Sequence, residues 1–299
     1  SGGNSAKSSA DNGFRDCQDF AQKDYCAAGE PEGCTMQTDL PDTTDSIIMS
    51  ALVNQTDPSG YALSDAAIDQ ITIKLMAYSA TWLYSLHELY SALGKCEGSD
   101  DAAYGTDDYI SSNAPHAWDE GWAFWAGSAQ TAGEDDGYLS YTLAEKRCGD
   151  FSTCGAAGDA ASGTALVNSN LLALYQLGLD QIISGDCSGA GATKNVILSQ
   201  MTIPLVQGTL KYMWKKDAQG GATSANSKEW GEAYAFATAL LPMLYNCSEI
   251  AAYQLYNYSS MSTTGMSDSD FATLKTSIED AYECMGITCN DVGTYGYTY

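Results

Sequence analysis

The sequence is poor in basic residues and in histidine. Only 13 of its 299 residues are lysine or arginine, against 38 aspartate or glutamate, so the formal net charge is −25; only two residues are histidine. Such an acidic surface repels the phosphate backbone of nucleic acids and anionic lipid headgroups. It also attracts cations, although an adaptation for solubility would produce the same bias. We therefore expect no nucleic-acid partner, and charge alone leaves a metal partner open.

Long apolar runs are also missing. No stretch of the sequence approaches the ~18 apolar residues that a membrane-spanning helix needs. The chain opens on the polar residues 1–4 and lacks the hydrophobic region of a signal peptide. We therefore expect a processed chain that is not inserted in a membrane.

The ten cysteines include no C-x-x-C pair, which disfavours zinc-ribbon and redox motifs. An even number of dispersed cysteines predicts five disulfides and therefore an oxidising, extracytoplasmic compartment. Cys148 with Cys154, and Cys284 with Cys289, are the pairs that proximity in the sequence suggests. Residues 13–40 are expected to form a stapled cover over the rest of the fold. The cysteines are at positions 17, 26, 34, 96, 148, 154, 187, 247, 284 and 289.

Apolar residues recur at helical spacing along most of the chain. The clearest helix has Ser64 as its N-cap and runs to Gly94. Further helices are predicted over 166–183 and over 196–216, the second with a kink at Pro204. Valine and isoleucine runs typical of strands are scarce. The sequence therefore predicts an all-α fold, a helical bundle stapled by disulfides.

Local signals mark the ends of two more helices. Pro115 suits the first position of a helix that we expect to continue to Gly133. Asn226 precedes Glu229 by three residues, a spacing similar to a capping box. The helix that begins there is expected to be disturbed at Pro242.

A seven-residue pattern occurs twice. Residues 118–124 read Trp-Asp-Glu-Gly-Trp-Ala-Phe and residues 230–236 read Trp-Gly-Glu-Ala-Tyr-Ala-Phe, which makes Glu120 and Glu232 equivalent. Self-similarity of this kind predicts a duplication, with both motif helices near the centre of two pseudo-symmetric halves. The predicted organisation is a single all-α domain over 1–299, with a first half at 41–150, a second half at 155–289 and a tail at 290–299.

Both motifs place glutamate inside an apolar, aromatic helix. Such a carboxylate is costly to bury unless it is paired, hydrogen-bonded or bound to a metal. His116 precedes Asp119 and Glu120 by three and four residues, and Glu229 precedes Glu232 by three, spacings that put side chains on one helical face. Mixed nitrogen and oxygen donors suit iron, ferrous or ferric, ahead of zinc or manganese. The predicted metal ligands are His87, His116, Asp119, Glu120, Glu229 and Glu232.

Five of the six predicted ligands also have an ordinary structural explanation. Glu120 and Glu232 could accept hydrogen bonds from tryptophan indoles across the two halves. Acids in the first turn of a helix, such as Asp119 and Glu229, are stabilised by the helix dipole. His87 could be a packed core histidine.

Two other functions therefore stay open beside metal binding. One is a structural or cell-wall interaction protein that binds no metal. The other is a secreted hydrolase that depends on carboxylates or on a metal. The sequence has no G-x-S-x-G elbow and no phosphate loop between a strand and a helix, so it assigns no catalytic residue and does not favour an enzyme.

The segments 116–128 and 229–236 resemble the two motif regions of the iron-assimilating proteins of green algae. These are secreted periplasmic proteins, also described as inducible by high carbon dioxide. The resemblance implies a protein at the cell surface or in the periplasm that binds iron and assists its uptake. It further suggests a cell-surface iron transporter or reductase as partner. The ligand roles carry over to His116, Asp119, Glu120, Glu229 and Glu232, whereas His87 follows from helical spacing alone.

Overall fold

The computed structural model describes residues 44–98, 104–216, 226–261 and 268–296, so the predicted cover at 13–40 lies outside the described residues. Within these ranges the chain forms helices and only isolated β-bridges, which confirms the all-α prediction. The helices are α1 (Thr44–Met49), α2 (Asp65–Leu75), α3 (Thr81–Glu97), α4 (Asp107–Ser112), α5 (Ala114–Ala126), α6 (Ser140–Phe151), α7 (Leu166–Ile183), α8 (Cys187–Lys216), α9 (Lys228–Cys247), α10 (Glu249–Ser259), α11 (Asp268–Asp280) and α12 (Cys289–Val292), with π-helical turns at Ser50–Asn54 and Met76–Ala80.

The long helix predicted from Ser64 is present. Helix α2, the second π-helical turn and α3 follow one another without a break over 65–97. Ser64 is the N-cap, because its hydroxyl accepts a hydrogen bond from the backbone N–H of Ala67 at 3.2 Å. The run continues three residues beyond Gly94, the predicted end. Its apolar stripe is buried, as the helical spacing indicates.

The two motif helices pack against different parts of this run. Helix α5 lies on α3, and α9 lies on α2. Glycine permits both approaches: a Cβ on Gly121 would lie 3.2 Å from Leu89, and one on Gly231 would lie 2.8 Å from the carbonyl oxygen of Ala67. Helix α9 is buried along most of its length, whereas α5 exposes the face that carries Asp119. The duplication into two halves stays a prediction.

Helix α8 contacts α3, α6, α7, α9, α11 and α12, more helices than any other element contacts in the described chain. It begins at Cys187, nine residues before the predicted start, and continues through Pro204 to Lys216. The apolar pattern misses the first turns because residues 188–192 are serine, glycine and alanine. Helix α7 has the bounds that the sequence predicts.

Two predicted helix ends are wrong. Helix α5 ends at Ala126 because Gly127 adopts φ +82°, so the helix does not reach Gly133. The residue that caps α9 is Ser227, not Asn226. The side chain of Asn226 instead accepts from the backbone N–H of Ser64 at 3.0 Å, so it links α9 to the start of α2.

Three disulfides occur among the described residues. The predicted Cys148–Cys154 pair is confirmed. The predicted Cys284–Cys289 pair is wrong, since Cys284 bonds to a cysteine at the end of α9 and Cys289 is an exposed free thiol in the described part of the chain. The three bonds are Cys96–Cys187, Cys148–Cys154 and Cys247–Cys284.

Most buried apolar side chains form one core along α3, α5, α7, α8 and α9, and a smaller cluster lies between α1, α2 and the start of α9. The end of the chain returns to this bundle: Val292 is buried, and the backbone N–H of Thr294 donates to the carbonyl of Phe151 at 3.0 Å. No helix in the described ranges is long and apolar enough to cross a membrane.

Candidate functional site

The six predicted metal ligands lie on three helices. His87 is on α3. Helix α5 carries His116, Asp119 and Glu120, and α9 carries Glu229 and Glu232. Among the described residues, no three side chains of histidine, cysteine, aspartate or glutamate are grouped so that they could hold a metal ion. A site made only of these residue types is therefore not assembled in this part of the chain.

His87 is a buried residue of α3. It is 2% exposed, and its Nε2 is 3.9 Å from Oε1 of Glu88, which is equally buried. The ring of Tyr84 lies 5.1 Å from the imidazole and 4.5 Å from the ring of Phe124 in the first motif. These contacts are typical of a histidine packed among aromatic side chains.

His116 and Glu120 form a pair on the exposed face of α5. Nε2 of His116 is 3.5 Å from Oε1 of Glu120, and the two side chains are 55% and 35% exposed. Asp119 is exposed on the same helix. An exposed ion pair of this kind contributes little to stability. The pair offers a metal two donor groups at most.

Glu232, the equivalent residue of the second motif, has a different environment. It is 4% exposed, and its Oε1 is 3.8 Å from Nζ of Lys74 on α2. The charge of this carboxylate also acts on Tyr212 of α8, where it adds to the effect of burial in raising the pKa of the hydroxyl. Glu229, one turn earlier on α9, is half-buried.

Two tyrosines flank Phe236 of the second motif. Its ring lies 5.7 Å from that of Tyr78 and 5.4 Å from that of Tyr212, and all three are stacked. Room for this stack depends on Gly208, because a Cβ there would lie 2.5 Å from the Phe236 ring. The motif phenylalanine therefore fixes the spacing of the two phenols.

Both phenols share the same two charged neighbours. Burial raises the pKa of Tyr212, the charge of Glu232 raises it further, and Arg147 acts in the opposite direction. Burial also raises the pKa of Tyr78, with Arg147 opposing and Glu232 adding to the shift. We refer to Glu232, Tyr78, Tyr212 and Arg147 as the Glu232 cluster.

Arg147, on α6, connects this cluster to Asp150. Its Nη2 lies 3.0 Å from Oδ2 of Asp150, and the centre of its guanidinium lies 5.6 Å from the Tyr212 ring. The Nε and Nη1 atoms are buried and have no hydrogen-bond acceptor among the described residues. Nζ of Lys211 lies 2.8 Å from each oxygen of Asp150.

Sequence reasoning identified Glu232 but missed the other three members of the cluster. Tyr78 and Tyr212 belong to no motif, and twenty tyrosines in the chain give neither of them prominence. The rarity of arginine could have drawn attention to Arg147, which is one of only two arginines in the sequence. Its burial could not be inferred, because neighbouring Lys146 and Asp150 suggest an exposed helix face.

The sequence matches a known protein family. A family model described as low iron-inducible periplasmic protein matches residues 1–298. The comparisons with curated proteins and with solved structures found no match. The matched range includes both motif helices and the whole Glu232 cluster.

Proposed function

Because this chain belongs to the family of low iron-inducible periplasmic proteins, we propose that it binds ferric iron outside the plasma membrane and assists the uptake of that iron. As a member of this family it is a secreted, periplasmic protein linked to iron uptake. We assign the iron to the Glu232 cluster, with Glu232 and Tyr212 as ligands. A cell-surface transporter or reductase remains the proposed recipient.

The observation that supports this assignment is the buried carboxylate of Glu232, whose charge raises the pKa of the Tyr212 phenol. Ferric iron is a hard cation, and carboxylate and phenolate oxygens are hard donors. Tyrosine also serves as an iron ligand in haem proteins. The charge of Glu232 raises the pKa of the Tyr212 hydroxyl, which indicates that the carboxylate and this phenol are close neighbours.

The other residues predicted as ligands from the sequence are not assigned to the central site in this proposal. Glu229 lies one helical turn from Glu232, so it would be the nearest additional carboxylate on α9. His116, Asp119 and Glu120 form an exposed set that would meet iron arriving from solvent. The assignment of His87 as a ligand stays a prediction.

Replacing Glu232 by glutamine, or Tyr212 by phenylalanine, should weaken ferric binding on the order of 100-fold, since each change removes an anionic donor with little change in shape. Binding would be measured by competition with a ferric chelator. Phenolate bound to ferric iron gives a visible charge-transfer band, which should weaken in Tyr212→Phe. Glu120→Gln, at the equivalent motif position, is the matched control and should change the affinity only a few-fold.

The strongest alternative is that Glu232 only neutralises Lys74 in the packing of α9 on α2. In that case Glu232→Gln would lower the melting temperature, and added iron would not raise the melting temperature of the wild type. Unchanged ferric affinity in a natively folded Glu232→Gln protein would overturn the assignment. If ferric affinity were lost only in Glu120→Gln, the iron site would lie on α5 instead.

Ferric binding should weaken as the pH falls. The pKa of Tyr212 is raised, so its hydroxyl is protonated in the iron-free protein near neutral pH and must lose its proton to bind iron. The affinity should therefore rise about tenfold per pH unit for each phenol that becomes a ligand. Competition titrations at several pH values would measure this slope. A slope that is the same in Tyr212→Phe as in wild type would contradict Tyr212 as a ligand.

A further inference from the structure

Three short acceptor motifs for N-linked glycosylation lie outside the proposed iron site. They are Asn54-Gln55-Thr56, Asn246-Cys247-Ser248 and Asn257-Tyr258-Ser259. None has proline in the middle position, so each has the N-x-S/T pattern that a glycosylated asparagine needs. A pattern this short also arises by chance, so the place of each asparagine in the fold has to distinguish the three. All three asparagines are exposed.

Asn54 lies at a turn on the surface. It is the last residue of the first π-helical turn, which ends at Gln55, where φ is +56°. The chain then reverses direction, and the backbone N–H of Asp57 donates to the carbonyl of Tyr61 at 2.9 Å. Glycosylated asparagines belong to surface loops of secreted proteins. A bulky group on Asn54 would therefore extend into solvent without displacing core residues.

The surface beside Asn54 is apolar. Met49, Leu52 and Val53 are 49%, 51% and 68% exposed. The π-helical turn places Met49 about one turn before Val53 and Asn54, because its hydrogen bonds join residues five apart. We refer to these three apolar residues as the Met49 patch. Contiguous exposed apolar side chains favour association with other molecules, and soluble proteins keep such patches small unless they have a function.

Asn257 lies in the last turn of α10, on the same face as Ile250. Ile250 is 72% exposed. A separation of seven residues places the two side chains on one helical face, about 10.5 Å apart along the axis. Ser259, the third residue of this motif, is buried, so a glycan must be attached to Asn257 before folding is complete.

Asn246 differs from the other two acceptors in its neighbour. The middle residue of its motif is Cys247, which is bonded to Cys284. The hydroxyl of Ser248 accepts from the backbone N–H of Ala251 at 3.2 Å and so caps α10. Closure of the disulfide would hold the middle of the motif in place, and it would therefore compete with modification of Asn246.

We propose that Asn54 and Asn257 carry N-linked glycans, and that the glycan on Asn54 covers the Met49 patch. The donor is a lipid-linked oligosaccharide diphosphate of the secretory pathway, in whose oxidising compartment disulfides also form. The amide nitrogen of asparagine attacks C1 of the first sugar. The bond between C1 and nitrogen forms, the bond between C1 and the phosphate oxygen breaks, the amide loses one proton, and the lipid diphosphate leaves. The attached glycan is bulky and solubilising.

Occupancy would be measured on the native protein as its cells secrete it. Mass spectrometry should find hexose and N-acetylhexosamine on the peptides that contain Asn54 and Asn257. A peptide N-glycosidase in heavy-oxygen water should convert both residues to labelled aspartate. Asn195, an exposed asparagine outside any acceptor motif, is the internal control and should stay unlabelled. If both peptides were unmodified, the proposal would be overturned, and one unmodified peptide would remove that site. Occupancy of Asn246 as high as that of Asn54 would contradict the competition by the disulfide.

Two variants test the covering of the Met49 patch. Thr56→Ala destroys the acceptor motif but keeps Asn54, whereas Thr56→Ser keeps the motif and is the matched control. Secreted from a eukaryotic host, only Thr56→Ala should lose the mass of one glycan. It should also bind about twofold more of a fluorescent dye for apolar surface, because the patch is then uncovered. Equal dye binding by the two variants would overturn the covering role. Neither measurement involves iron, so failure of the iron assignment would not alter their outcome.

Discussion

Removal of the Cys96–Cys187 disulfide should lower the free energy of unfolding by about 4.6 kcal/mol, the loop-closure value for a separation of 91 residues. The bond joins the end of α3 to the start of α8, and the chain between them includes α5 with the first motif. Without the bond, the unfolded chain gains the conformational freedom of this long loop. The double variant Cys96→Ala, Cys187→Ala would be compared with wild type by denaturant unfolding.

The Cys148–Cys154 bond provides the matched control. Its cysteines are six residues apart, so the same loop-closure relation gives about 2.4 kcal/mol for its removal. Both double variants replace two cysteines by alanine, and the separation of the two cysteines differs between them, 91 residues against six. If both variants lost the same free energy of unfolding, or if removal of Cys148–Cys154 cost more, the Cys96–Cys187 bond would not stabilise the fold through the unfolded state.

The parts of the fold that were predictable are those that local spacing determines. Helix α7 has its predicted bounds because its apolar residues follow a single helical period, and Ser64 caps α2 through a hydrogen bond to a residue only three positions away. The role of Asn226 was not predictable in this way. Its partner Ser64 is 162 residues away in the sequence, so no local pattern reports the contact.

The same distinction between local spacing and tertiary contact applies to the candidate site. The repeated motif made Glu120 and Glu232 equivalent, and both do lie on helices. Their environments differ because the neighbouring helices differ: the packing of α9 on α2 brings Lys74 to Glu232, whereas Glu120 faces solvent beside His116. A motif specifies which residue types share a helical face, but tertiary packing decides which charges surround them. The contribution of Tyr212 and Arg147 could not be read from spacing for this reason.

Replacing Gly208 by alanine should destabilise the protein by about 3 kcal/mol, at the upper end of the usual cost of overpacking a core. The new Cβ would lie 2.5 Å from Cδ1 and 2.6 Å from Cε1 of Phe236. That ring is 1% exposed and is held between Tyr78 and Tyr212, so it has no free space into which to move. Because the ring also stacks on Tyr212 and so fixes the position of that phenol, ferric affinity should fall together with stability. Denaturant unfolding and ferric titration of the same variant measure the two effects.

Gly191→Ala is the control on the same helix. A Cβ on Gly191 would have no atom within 4 Å, so this change should stabilise α8 by up to about 1 kcal/mol through helix propensity alone. Adding Phe236→Leu to Gly208→Ala should cost less than the sum of the two single changes, because the smaller side chain leaves room for the new methyl group. If Gly208→Ala were as stable as Gly191→Ala, the close contact between α8 and the motif phenylalanine would not exist in solution. The position of the Tyr212 phenol that the iron site requires would then lose its structural basis.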